Sequence, residues 1–267
     1  MKNLKDLMNL EGRVAAITGG AGHLGLAIAE SFAELGASVV LLDKNDTEAQ
    51  EQAKKIGNIY NARVSAFGLD LVDEIQLRNI PNKVIEQSGR LDILVHCAAL
   101  VGTSDLPGWA VPFEQQNIDT WRKALEVNLT AVFALTQVCA PALKKSGHGS
   151  VITIGSLYGM VGPQMQLYDG MQLGNPAAYS ASKGGLLQLT RWLATVLAPK
   201  VRVNIITMGG VFRNHVDPFL SRYIERTPMK RMATEEDIKG AAAYLASDLS
   251  AYVTGQNVVV DGGWTTW

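Results

Sequence analysis

Short runs of apolar, β-branched residues alternate with longer helix-patterned segments along almost the whole chain, and this rhythm restricts the fold more than any other feature. Strands are predicted at 13–18, 38–42, 63–67, 91–96, 150–154, 201–206 and 257–260. Between them, helices are predicted at 23–35, 46–56, 74–87, 118–145, 178–198 and 234–247. Runs such as Val14-Ala15-Ala16-Ile17 and Val39-Val40-Leu41-Leu42 are apolar on both faces, which suits a sheet covered on both sides. Regular strand–helix–strand alternation implies right-handed crossovers. The expected fold class is therefore α/β: a Rossmann-type doubly wound parallel sheet of about seven strands with helices on both faces. With 267 residues, 47% of them hydrophobic, and no linker, repeat or low-complexity tract, a single domain over 1–267 is expected.

Charge excludes some partners. Lys and Arg number 24 against 25 Asp and Glu, a net charge of -1, so there is no basic surplus for nucleic acid or an anionic membrane. Residues 1–13 lack the apolar stretch of a secretory signal. No apolar run is expected to approach the roughly 18 residues of a membrane span. Cys97 and Cys139, both within apolar stretches, read as buried free thiols in a reducing compartment, and a cytoplasmic location without a metal site is expected.

The turn Thr18-Gly19-Gly20-Ala21-Gly22-His23-Leu24-Gly25 follows the first strand and opens the first helix. Gly20, Gly22 and Gly25 read as G-x-G-x-x-G, a turn whose backbone N–H groups can approach a pyrophosphate at the positive end of a helix. Gly19, Gly22, His23, Leu24 and Gly25 are thus candidate cofactor contacts. Asp43 ends the second strand, where a carboxylate accepts hydrogen bonds from the adenosine ribose and repels a 2′-phosphate, so NAD is the expected cofactor. Lys44 beside it can soften that repulsion. Asp70 and Leu71, past the third strand, are placed to meet the adenine or to be an ordinary loop.

Tyr179-Ser180-Ala181-Ser182-Lys183 puts Tyr179 and Lys183 one turn apart on one helix face. A free tyrosine titrates near pH ~10, and an ammonium one turn away is expected to lower that value and let the phenol act as an acid/base. The same ammonium can bond the nicotinamide ribose. Ser156, at the end of the fifth strand, can donate to a substrate oxygen. Asn128 is a polar residue on an otherwise apolar helix: either a satisfied kink residue or part of a water relay to Lys183.

In these residues the chain resembles the short-chain dehydrogenase/reductase family, from about Leu10 to its end. The resemblance rests on the 18–25 turn, His96-Cys97-Ala98-Ala99, Asn128, Ser156, the Tyr179/Lys183 pair, the segment 204–211 and the closing Val260-Asp261-Gly262-Gly263. It implies Tyr179 as general acid/base, Lys183 as its partner and ribose ligand, Ser156 as substrate-oxygen donor and Asn128 as relay. It also implies cofactor contacts from Ala98, Gly209 and Val211, and a homotetramer assembled through the two long helices. The chain departs from the family pattern at His23, which replaces a glycine, at His96-Cys97-Ala98-Ala99, at Met208, which replaces a proline, and at Arg213, which replaces a threonine.

Two segments break the rhythm: 101–116 and 162–176, both following strands on the expected ligand side. The second separates Ser156 from Tyr179 by 23 positions and is expected to wall the substrate pocket, with Tyr168 or a neighbouring glutamine touching the substrate. With Tyr168-Asp169-Gly170-Met171, Asn175-Pro176, Gly209 to Asn214 and Val260 to Thr265, it is similar to a subgroup from bacterial flagellin-modification and legionaminic-acid-type sugar pathways. That likeness implies an amino sugar or sugar nucleotide as substrate, with Arg213, Asn214, Gln164, Gln166 and Tyr168 as polar lining and Arg213 suited to a phosphate. The competing readings are a generic polyol, sugar-acid or 3-oxoacyl dehydrogenase/reductase, a sugar-nucleotide epimerase or dehydratase, and a non-catalytic NAD-sensing module.

Overall fold

Successive strand residues point to opposite sides of a sheet, and here both sides are apolar. The computed structural model describes residues 1–102, 104–171 and 174–267, so Thr103, Gln172 and Leu173 of the two irregular segments lie outside the described residues. Seven strands, β1 (Val14–Thr18), β2 (Ser38–Asp43), β3 (Val64–Gly68), β4 (Ile93–His96), β5 (Gly149–Ser156), β6 (Val201–Met208) and β7 (Asn257–Val260), form one sheet in the order β3-β2-β1-β4-β5-β6-β7. Every pairing is parallel. The expected doubly wound sheet is what the chain forms. Its winding reverses between β1 and β4, the place where a parallel sheet opens a crevice beyond its strand ends.

Nine α-helices are described: α1 (Leu4–Met8), α2 (His23–Glu34), α3 (Asp46–Tyr60), α4 (Glu74–Ser88), α5 (Ile118–Leu125), α6 (Ala131–Ser146), α7 (Ala177–Leu197), α8 (Phe219–Arg226) and α9 (Lys239–Ala246). Ala15, Ile17, Val39 and Leu41 face one layer, where Ile28 and Phe32 of α2, Ile56 of α3 and Leu245 of α9 cover them. Val14, Ala16, Val40 and Leu42 face the other, under Ile80 of α4, Leu135 and Leu143 of α6 and Leu193 of α7.

Four differences from the sequence reading have physical causes. β5 and β6 reach Ser156 and Met208 because they pair with each other along their full length. The long helix predicted at 118–145 is interrupted by a π-turn at Glu126–Thr130. That same stretch, Ile118–Ser146, does have the length and hydropathy of a membrane-crossing helix, contrary to expectation, because 127–143 contains no charged residue. Its apolar residues Leu135, Cys139 and Leu143 pack in the core beneath the sheet. Helices α1 and α8 were not foreseen; both are short, and α8 joins an aromatic cluster with partners distant in sequence.

Asp92, fully buried just before β4, ties the sheet together. It accepts the Val14 N–H at 2.9 Å and a two-point contact from Arg90 at 2.8 and 2.6 Å. Replacing it by alanine leaves the Val14 N–H and the half-exposed guanidinium without their acceptor. Asp92→Ala is expected to lower the unfolding free energy by about 2–4 kcal/mol. A loss below about 0.5 kcal/mol in urea titration would show that the pair behaves like a solvated surface contact.

Candidate active site

The crevice begins with a close approach of two backbones. Gly19 has φ +65°, and a Cβ there would lie 2.8 Å from the Cα and N of Ala98. Thr18 Oγ1 accepts the N–H groups of Cys97 and Ala98 at 3.2 and 3.3 Å, so the ends of β1 and β4 are held together. A Cβ on Gly25 would overlap the Gly19 carbonyl oxygen. Helix α2 starts at His23 with Gly22 as its N-cap, without a side-chain cap and without an acid in its first turn. Uncapped N–H groups at the positive end of a twelve-residue helix, beside a turn that only glycine fits, suit a dinucleotide pyrophosphate. Leu24, by contrast, packs its side chain against the core.

Around this turn the charged groups are already organised. Asp43 accepts the Ala21 and Asn45 N–H groups, each at 3.1 Å, which orients its carboxylate beside the glycine turn. Lys44 pairs with Asp70 at 2.7 Å, and this hydrogen bond is the main cause holding the Asp70 carboxyl below its usual range. The lysine that can soften a 2′-phosphate's repulsion is thus engaged by another acid. Leu71 packs partly against the core under the sheet. His23, the departure from the glycine pattern, turns its ring toward Glu235 at 3.6 Å. Arg213 pairs with the same Glu235 at 2.6 Å and donates to the Phe212 carbonyl, so the group expected to hold a phosphate is engaged by a carboxylate. Gly209 donates its N–H to Val260, and Val211 bridges to Ala233, which brings both to the mouth of β6 and β7.

The structure brings Ser156, Tyr179 and Lys183 together at the end of β5 and the start of α7. Lys183 Nζ donates to the Ile154 carbonyl at 2.7 Å and lies 5.8 Å from the centroid of the Tyr179 ring. Burial pushes the ammonium down from 10.5 to about 8. Burial likewise raises the Tyr179 phenol above its ordinary value, opposed by a hydrogen bond with the Ser156 hydroxyl. In this water-poor pocket the protein's own surroundings drive both groups toward their neutral forms, and the lowering expected of the ammonium is one it exerts together with the positive nicotinamide. Ser156 Oγ is fixed from behind by the Tyr158 N–H at 3.3 Å.

Asn128 sits inside the π-turn, where the extra residue per turn swings it toward α7. Its Oδ1 accepts the Leu100 N–H at 2.7 Å, and its Nδ2 donates to the Leu100 carbonyl and to Ser182 Oγ. Its protein partners are therefore the 100 peptide and the residue before Lys183. Ser182, Thr18, Tyr158 and Glu235 were missed by sequence reasoning. Adjacency to Lys183, to the glycine turn and to Ser156 was the available signal for the first three, and Glu235 had none.

The 162–176 segment splits into two sides. Gln164 and Gln166 line an open cavity of about 910 Å³ with Asp169, Arg222, Arg226 and Trp267, and neither Ser156 nor Tyr179 is part of that lining. Tyr168 faces the other way: its hydroxyl meets that of Tyr158 at 3.2 Å and its ring lies 5.5 Å from Phe219. Phe219 stacks on His215 at 5.1 Å, and Tyr223 stacks on Trp264 at 4.4 Å. Aromatic contacts thus join this segment to the chain after β6 and to the C-terminal turn.

The family model described as enoyl-(acyl carrier protein) reductase, of the short-chain alcohol dehydrogenase type, matches residues 19–265. A sorbose reductase from Schizosaccharomyces pombe is 30% identical over 98% of this chain and 99% of its own length. A gluconate 5-dehydrogenase from Burkholderia cenocepacia, crystallised with NADP and tartrate, superposes with a TM-score of 0.88 at 28% identity, covering 99% of this chain and all of that one. A short-chain dehydrogenase from Leptospira borgpetersenii with bound NAD+ gives a TM-score of 0.84 at 31% identity, covering 99% and 96% of the two chains.

The buried lysine should be a stability liability. Because its folded value of about 8 lies below the ordinary 10.5, the folded protein binds fewer protons between those pH values than the unfolded chain. The penalty is therefore complete below about pH 8 and is relieved as pH rises toward 10.5. Lys183→Met is expected to stabilise the nucleotide-free protein at pH ~7 by roughly 1–3 kcal/mol, with the gap narrowing toward pH ~10. Chemical denaturation at the two pH values checks this, and a variant less stable than wild type at neutral pH overturns it.

Proposed function

The chain belongs to the short-chain dehydrogenase/reductase family, and on that premise we propose that it interconverts a secondary alcohol and a ketone on a sugar-like, polyhydroxylated substrate, with NAD(H) as cofactor. The observation that carries the reading is the convergence of Ser156, Tyr179 and Lys183 in one buried pocket beside a glycine cradle. A bound nicotinamide supplies the hydride acceptor or donor. The protein's own groups manage the oxygen and the proton. Ser156 Oγ, oriented by the Tyr158 N–H, donates to the reacting oxygen. A phenol kept protonated by burial is in the right state to give its proton to a ketone oxygen as it becomes an alkoxide. Lys183, next to that ring, supports the phenolate left behind, and it is positioned to hold the nicotinamide ribose. Asn128 holds the 100 peptide and Ser182, and so positions the residues flanking the pocket; a water relay from it to Lys183 is part of the same reading.

NAD is favoured over NADP because the Asp43 carboxylate stands beside the turn while Lys44 is held by Asp70. The gluconate 5-dehydrogenase with NADP shows that related folds accept the phosphorylated cofactor, so the choice rests on this carboxylate. A polyol, keto-sugar or sugar-acid substrate draws support from sorbose reductase and gluconate 5-dehydrogenase as named relatives. An amino sugar or sugar nucleotide draws support from the likeness in 162–176, 209–214 and 260–265, and the Arg213–Glu235 pair engages its most obvious phosphate ligand. The second reading, a 3-oxoacyl reductase, is favoured by a 3-oxoacyl-[acyl-carrier-protein] reductase from Escherichia coli, 30% identical over 96% of this chain. Homotetramer assembly is part of the proposal: Phe133 on α6 and Trp192 and Val196 on α7 are exposed on the two long helices.

Tyr179→Phe is expected to bind nucleotide normally and to lose about 10²–10⁴-fold in kcat on ketoses, polyols and aldonates, followed by nicotinamide absorbance. Retention of more than a tenth of the wild-type rate would remove Tyr179 from the chemistry. Wild type should prefer NADH over NADPH, and Asp43→Ala should shrink the preference roughly tenfold, equivalent to ~1.4 kcal/mol. Equal use of both cofactors by the wild type would overturn the NAD reading.

A further inference from the structure

Resting on the reading of this pocket as an alcohol/ketone oxidoreductase site, we propose that the Tyr158–Tyr168 phenol pair is a recognition site for a second substrate hydroxyl, close to the carbon that reacts. The pair is built from two segments. Tyr158 lies two residues beyond Ser156, on the turn that leaves β5, and its own N–H orients the Ser156 hydroxyl. Tyr168 comes from the 162–176 segment, and its hydroxyl lies 3.2 Å from that of Tyr158.

The supply of hydrogens defines what the pair can do. Ser180, next to Tyr179 on α7, donates its hydroxyl to Asn175 Oδ1 at 2.8 Å. That contact orients the Asn175 amide, which favours the ionised form of the Tyr168 phenol. Two phenols carry two O–H hydrogens, and whichever way the pair is polarised, one hydrogen is used between them. One O–H remains, and among the described residues it has no further protein acceptor. The Tyr158–Tyr168 pair thus presents one free donor with acceptor capacity beside it, which matches a hydroxyl group, itself both donor and acceptor.

The surroundings make this end selective. The Tyr168 phenol opposes ionisation of Tyr179, and the Tyr179 phenol opposes ionisation of Tyr158. The Tyr158 N–H bonded to the Ser156 hydroxyl, with Tyr168 bonded in turn to Tyr158, puts the pair on the reacting side of the pocket. Behind it lie Leu157, Leu167 and Phe219, which offer no polar partner. Within that cluster the phenols are the polar groups a substrate hydroxyl meets, and a substrate without one leaves a largely buried O–H unmatched. The geometry selects vicinal diols and α-hydroxy ketones over simple alcohols and ketones.

The test compares wild type, Tyr158→Phe and Tyr168→Phe on 1,2-cyclohexanediol against cyclohexanol, and on acetoin against 2-butanone, with NAD(H). Far-ultraviolet circular dichroism and quenching of nucleotide fluorescence confirm that each variant is folded and binds cofactor. Wild type should favour the hydroxylated member of each pair by about tenfold or more in kcat/KM. Either phenylalanine variant should bring that ratio toward one, mainly through KM. A merely structural role lowers both members alike and preserves the ratio. Turnover of both members with the wild-type ratio retained in both variants, or no preference in the wild type, overturns this inference while the oxidoreductase reading stands. Folded, nucleotide-binding protein that turns over no alcohol or ketone in these pairs or among the ketoses, polyols and aldonates overturns the reading itself, and the inference with it.

Discussion

At the point where the sheet reverses its winding, the backbone of Gly19 runs against the backbone of Ala98, closer than any side chain at position 19 would allow. Thr18 holds that contact by accepting two N–H groups from the far strand. The parallel arrangement makes this junction matter. All seven strands end on one side, so every loop that follows a strand end borders the same crevice. If β1 and β4 separated there, the glycine cradle, Asp43 and the turn after β5 would lose their common frame. Asp92 does the same work at the opposite ends of the same two strands, where it links Val14 and Arg90.

Within that frame the active pocket keeps its chemistry by withholding water. Burial drives the Tyr179 phenol up and the Lys183 ammonium down, so neither charge is favoured by the protein's own surroundings. The Ile154 carbonyl and the Ser156 hydroxyl offset part of that cost. Such an arrangement sacrifices stability for responsiveness, because a charge or dipole brought in by a ligand acts in a low-dielectric space. His96 in β4 shows the purely structural version of the same physics: fully desolvated, held down to about 3, and bonded to Thr136, it remains a neutral core residue.

The 162–176 segment is held by aromatic contacts rather than by a continuous element. Tyr168 from the 162–176 segment, His215 and Phe219 from the chain after β6, and Trp264 from the C-terminal turn pack as neighbours although they are far apart in sequence. Dispersion and burial hold these segments together, and hydroxyls from Tyr158 and Tyr168 give the wall its polar point. The glutamines of the same segment line the open cavity instead, because Met165–Tyr168 is a short 3₁₀ turn that sends Gln166 and Tyr168 to different sides.

The sequence by itself determined the doubly wound sheet, the glycine turn with Asp43, and the Ser156, Tyr179 and Lys183 constellation. Those features are carried by local spacing, such as apolar runs for strands, glycines for a forced turn and a four-residue interval for one helix face, and such intervals are readable without knowing what they pack against. Tertiary structure alone decided the rest. The π-turn that aims Asn128 depends on the neighbouring α7 and the 100 peptide. The direction of the Tyr179 and Lys183 shifts depends on how much water the fold excludes, not on the ammonium's proximity alone. The capture of Arg213 and His23 by Glu235, of Lys44 by Asp70 and of Tyr168 by Tyr158 joins residues whose partners are set by where loops land. A hydrogen bond or ion pair is short-ranged, so its partner is known only when the chain's long-range path is known.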